Sequence, residues 1–115
     1  MPSYFRGNDN FDTAGGNAVK AWVNFNGTGT VAIRASYNVS SITDNGLGDY
    51  TINFTTAMPD ANYAPQVTGK SDGAATGYIA VAKNAAQTTT AFGVVTIDDT
   101  GSVRDTTQVS FAVFR

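Results

Sequence analysis

The chain has 115 residues, 42% hydrophobic and 14% charged, with seven Lys+Arg against nine Asp and neither Cys nor His. Those absences exclude disulfides, thiolate nucleophiles, Cys- or His-ligated zinc and any Ser-His or Cys-His mechanism. A net charge of −2 offers no field to attract nucleic acid, and no apolar run approaches the roughly 18 residues of a membrane span, so neither nucleic acid nor membrane insertion is expected.

Residues 1–17 (MPSYFRGNDNFDTAGGN) are rich in Gly, Asn and Asp, with three isolated aromatics and no period. They read as an arm, and Tyr4, Phe5 and Phe11 are the candidates to pin it to a partner or to the edge of the domain. From Ala18 the text alternates. In AVKAWVNF, Val19, Ala21, Val23 and Phe25 share one face and Lys20, Trp22 and Asn24 the other. NGTGT (Asn26 to Thr30) is a turn. The next predicted strand carries Val31, Ile33, Ala35, Tyr37 and Val39 on one face.

DNGLGD (Asp44 to Asp49) is the strongest hairpin signal, with Asn45-Gly46 expected at its turn. Its return strand sets Tyr50, Ile52 and Phe54 against Thr51, Asn53 and Thr55. The segment AMPDANYAP breaks the period, and Pro65 marks the strand from Asn62 to Lys70 as an edge. After SDGAAT come strands over Gly77 to Lys83 and Thr88 to Asp98, a turn at DDTGS, and a last strand ending VSFAVFR.

Seven strand candidates joined by short turns in under 100 residues predict one all-β domain, an antiparallel β-sandwich over 18–115 with a small barrel as the alternative. Composition agrees, because Thr and Val are abundant while Leu47 is the only Leu and Glu is missing. Leu, Ile, Val and Phe total 24 residues, a thin supply of core for this length. Trp22 and Phe114 meanwhile fall opposite the best apolar stripes. A thin core with aromatics on the second face predicts a subunit whose outer surface is covered by copies of itself.

Candidate chemistry is sparse. Asp99-Thr100-Gly101-Ser102 after VVTI matches the aspartic-protease motif, but only 13 residues follow Ser102, and Asp-Asp-Thr-Gly is ordinary turn chemistry. An Asp-based hydrolase is the remote alternative, and the expectation is no enzyme, no catalytic residues and no cofactor. The Asp and Asn clusters lack the spacing of a calcium loop, so no metal site is expected either. What remains is binding chemistry. Trp22, Tyr63 and Tyr78, each beside polar or small neighbours, are candidate platforms for stacking a sugar ring, and Trp22 and Phe114 are candidates for a subunit interface.

The stretch Lys20 to Tyr63, KAWVNFNGTGTVAIRASYNVSSITDNGLGDYTINFTTAMPDANY, resembles a module of tail-fibre and other virion-surface proteins of tailed phages and prophages. WVNFNGTGT, the SITDNG-G-DYT hairpin and NFTTAMPDANY occur in order, over about 44 of the 115 residues. The resemblance implies a structural or adhesion role on a virion made in the host cytoplasm and released by lysis. It also implies a homotrimer and brings no catalytic residues. The expected function is therefore a tail-fibre or surface-knob module that contacts other virion proteins through its arm. Loops such as Asp44–Asp49 and Ser71–Gly77 would meet a host cell-surface glycan or protein. The alternative is a purely structural fibre or capsid-decoration protein with no receptor.

Overall fold

Alternating residues that point to opposite sides of a strand must bury one side, and two sheets facing each other do so here. The computed structural model describes residues 19–70 and 79–115. Among them are eight strands: β1 (Val19–Asn26), β2 (Ala32–Tyr37), β3 (Val39–Gly46), β4 (Asp49–Phe54), β5 (Ala64–Gly69), β6 (Ile79–Gln87), β7 (Ala91–Ile97) and β8 (Val109–Phe114). They form two four-stranded antiparallel sheets, in the orders β2-β1-β8-β5 and β3-β4-β7-β6. The predicted arm, with Tyr4, Phe5 and Phe11, lies outside the described residues, as do Tyr78 and the loop 71–77.

The core is built from the inward rows of both sheets. Ala21, Val23 and Phe25 of β1 and Val109, Phe111 and Val113 of β8 face Tyr50, Ile52 and Phe54 of β4 and Phe92 and Val94 of β7. Aromatic rings bridge the layers. Phe111 stacks on Phe92 at 4.9 Å and on Phe54 at 6.1 Å, while Phe25 meets Tyr50 edge-on at 5.3 Å. Few but large side chains thus fill an interior poor in Leu and Ile, since each aromatic buries far more area than an Ala. The domain is an all-β sandwich.

Two expectations need correction. The single strand predicted from Val31 to Val39 is two strands in different sheets. A bulge opposite Asn24 and Phe25 adds Arg34 to β2, so Ile33 pairs with inward Phe25 while Tyr37 pairs with outward Trp22. One inserted residue reverses the faces of everything after it. Asn38 then takes the left-handed conformation, φ +56°, and turns the chain into the second sheet. The β3–β4 turn is also not Asn45-Gly46. Gly46 pairs with Asp49, which leaves Leu47-Gly48 as the two-residue loop. Pro65 does lie in an edge strand, because β5 pairs with β8 alone.

Candidate functional site

The outer faces of the two sheets differ in kind. On the second sheet the polar side chains bond one another. Asn53 Nδ2 donates to the hydroxyls of Ser41 (3.1 Å) and Thr43 (3.0 Å), Asn45 Nδ2 to Thr51 Oγ1 (2.8 Å), and Lys83 Nζ to both oxygens of Asp49 (3.0 and 2.9 Å). That surface satisfies many of its polar side chains internally, and the large apolar groups it exposes are aliphatic, Val81 on β6 (40%) and Leu47 in the β3–β4 turn (58%).

The first sheet presents aromatics instead. Register places Tyr37, Trp22, Ala112 and Gln66 in one row across β2, β1, β8 and β5. Ala35, Asn24, Ser110 and Thr68 form the next row, and Val19, Phe114 and Ala64 a third. Trp22 is 39% exposed and Phe114 40%, with Tyr37 and Val19 also open to solvent. The alternation of β1 and β8 dictates this. If Val23, Phe25, Phe111 and Val113 point inward, Trp22 and Phe114 must point out.

Over Trp22 lies a shallow trough of about 370 Å³, walled by Asn24, Gln66, Thr68, Ser110 and Ala112. Its polar groups are largely unspent. Among the described residues the Trp22 indole N–H, the Gln66 amide and the Thr68 hydroxyl bond no protein group. Asn24 accepts only one long bond, from Arg34 Nη1 at 3.3 Å, and Ser110 only one from Gln108 Nε2 at 3.4 Å. Beside the trough a cleft of about 480 Å³ runs from Lys20 and Tyr37 to Met58 and Pro59. There the side chain of Asn38 is already bonded to the carbonyls of Lys20 and Thr56.

Tyr63 does not belong to this face. It is 3% exposed, edge-on to Phe54 and tilted against Phe92 in the core, and donates to the carbonyls of Thr88 (2.8 Å) and Ala91 (3.2 Å). Burial pushes its hydroxyl up to about 12. Its expected role as a ligand platform is therefore withdrawn. Tyr37, which sequence reading placed inward, takes its place as the aromatic neighbour of Trp22.

The Asp-Thr-Gly-Ser segment is a turn. Gly101 (φ +86°) donates its N–H to the Asp98 carbonyl at 3.0 Å, and Val103 bridges back to Ile97. The carboxylate inside it belongs to Asp98. Oδ1 accepts from the Thr100 hydroxyl (2.6 Å) and N–H (2.9 Å) and from the Ser102 N–H (3.0 Å), while Oδ2 accepts from Arg104 Nε (3.0 Å). The Thr100 hydroxyl, then Arg104, hold its pKa well below the ordinary carboxylate range. Asp99 is exposed at the tip. Comparison with protein families, with curated proteins and with solved structures finds no match.

Proposed function

We propose that the chain is a structural module of a tailed-phage virion surface, a tail-fibre or surface-knob subunit. It assembles as a homotrimer, contacts other virion proteins, and meets a host cell-surface glycan. The resemblance of Lys20 to Tyr63 supplies the setting. The observation that carries the reading is the unequal dressing of the two sheets. One outer face bonds its own polar groups and, among the described residues, exposes only aliphatic Val81 and Leu47 as large apolar groups. The other exposes three aromatics, Trp22, Phe114 and Tyr37, together with Val19, with nothing described over them. Groups of this size left open on one face are what a protein–protein or ligand surface needs.

The apolar row Val19–Phe114–Ala64 suits contact between copies, because it has no polar side chain to desolvate. Light scattering of the full chain should return about 36 kDa, three times the 12.0 kDa of one copy. Phe114→Lys should shift the mass toward one copy while the circular dichroism of the strands is kept. A 12.0 kDa species at every concentration would sink the assembly half of the proposal. Failure to bind host cells as a trimer would leave a decoration protein without a receptor.

A further inference from the structure

We infer that the trough over Trp22 is the binding site for an uncharged saccharide, whose ring lies on the indole while its hydroxyls bond Asn24, Gln66, Thr68 and Ser110. This rests on the reading of the chain as an attachment module and names the site and ligand class of that attachment.

Three observations meet there. The first is shape. A trough of about 370 Å³ lined by the half-exposed Trp22 is within the range of small-ligand sites, roughly 300 to 1,000 Å³. A sugar ring has one face of C–H groups that packs on an aromatic surface and a rim of hydroxyls that does not.

The second is hydrogen-bond accounting. A side-chain amide offers a donor and an acceptor side by side, and a hydroxyl offers both on one atom. Among the described residues Gln66 and Thr68 spend neither on the protein, and Asn24 keeps its Nδ2. On the opposite sheet Asn53 and Asn45 spend theirs on neighbouring hydroxyls. A second copy pressed over the trough would strip water from these amides and need matching groups. A polyhydroxylated ring supplies them.

The third is charge. None of the described residues lining the trough is ionised, and the nearby Arg34 directs its Nη1 to Asn24 Oδ1 at 3.3 Å, so the lining itself calls for no carboxylate, sulfate or phosphate on the sugar. Val19 and Phe114 form a row of the face that does not line the trough, so contact between copies at that row uses none of the trough's own residues.

Trp22 is the single Trp of the chain, so its emission reports this site alone. The full chain should be titrated with glucose, galactose, mannose, N-acetylglucosamine and their short oligomers. A saturable change in emission is expected with at least one of them, together with protection from acrylamide quenching. Affinity should be roughly millimolar, as for a small ligand on a shallow site.

Gln66→Ala should weaken that binding roughly tenfold, and Thr68→Ala by a smaller factor, whereas Asn53→Ala on the other sheet should leave it unchanged. Binding to Trp22→Ala, followed by calorimetry, should be lost. No saturable response to any of these sugars overturns the inference, as does unchanged affinity in Gln66→Ala. Emission that follows protein concentration and not sugar also overturns it, since a second copy then occupies the trough. A monomer that binds sugar upholds the site and removes the trimer, while a trimer silent to sugar does the reverse.

Discussion

Asn38 and Thr56 bond each other as two facing peptides would. The Thr56 N–H donates to Asn38 Oδ1 at 2.7 Å, and Asn38 Nδ2 donates back to the Thr56 carbonyl at 3.1 Å. The same Nδ2 reaches the Lys20 carbonyl at 3.0 Å, so one amide ties β1, the β2–β3 corner and the segment after β4 together. Asn is also one of the few residues that tolerates φ +56° there. Asn38→Gly keeps the backbone conformation and loses only the amide, at a cost of about 1–3 kcal/mol. Asn38→Ala should cost about 1 kcal/mol more, the added left-handed strain. Urea midpoints at constant slope separate the two. Equal stabilities would mean the corner relaxes when its side chain goes.

Tyr50 is fully buried, and its hydroxyl lies 2.8 Å from both the Gly27 carbonyl and Asp105 Oδ1, which also accepts the Gly48 N–H at 2.8 Å. Burial first, then the bond and charge of Asp105, push its pKa above the ordinary tyrosine value of 10.0. Tyr63, at about 12, is raised by burial in the same direction. A folded state that holds these protons more tightly is fully stabilised below about pH 10 and loses that stability as pH rises toward the folded values. Urea midpoints should therefore fall from about pH 10 upward. Tyr50→Phe should lose about 1–3 kcal/mol at neutral pH, and its midpoint should fall less steeply in alkali. An alkaline limb as steep as the parent's would assign the effect to other groups.

At the acid end the sign reverses. The Asp98 carboxylate is depressed by the Thr100 hydroxyl, then by Arg104, then by the N–H groups of Ser102 and Thr100. Asp60 is also lowered, chiefly by Arg115, whose Nη2 sits 2.6 Å from Asp60 Oδ2. Stability from a depressed carboxylate is complete above its unfolded value, about 4, and drains away as pH falls toward the folded one. Acid unfolding should accordingly begin below about pH 4. Asp98→Asn should be less stable than the parent at pH 7 and should lose less on acidification. A parallel pair of acid curves would show that the turn does not depend on the charge.

Period-two reading reached the parts of the fold where alternation runs unbroken. Ala21, Val23 and Phe25, then Tyr50, Ile52 and Phe54, then Val109, Phe111 and Val113 all point inward as their spacing demands. That parity alone put Trp22 and Phe114 outside. It failed at Arg34, where a bulge adds a residue that no local signal marks, and so misplaced Tyr37. It failed again at Asn45-Gly46, a strong turn pair that the pairing of Gly46 with Asp49 keeps inside β3. Tyr63 looked exposed among Asn62, Ala64 and Pro65 because the rings that cover it, Phe54 and Phe92, are distant in the chain. Unspent amides around Trp22 were equally invisible, since Gln66 and Thr68 reach it only through the β1–β8–β5 register.

Gly48 is the tightest point in the turn that replaces Asn45-Gly46. Its φ is +61°, and a Cβ added there would stand 2.7 Å from the Thr96 carbonyl oxygen and 2.9 Å from the backbone of Arg104. Neither neighbour can yield easily. The Thr96 N–H donates to the Gly48 carbonyl (2.9 Å), Arg104 N–H donates to the Thr96 carbonyl (3.0 Å), and the Thr96 hydroxyl donates to the Arg104 carbonyl. Gly29 has nearly the same backbone, φ +58°, with nothing within 4 Å of its added carbon. Gly29→Ala therefore measures left-handed strain alone, about 1–2 kcal/mol. Gly48→Ala adds overpacking against fixed backbone, a further 1–3 kcal/mol or so. Thermal melts should place Gly48→Ala well below Gly29→Ala, and Gly48→Asn should not rescue it, because tolerance of the left-handed region does nothing for the collision. Equal melting temperatures for the two alanine variants would show that the crossover before β8 moves aside.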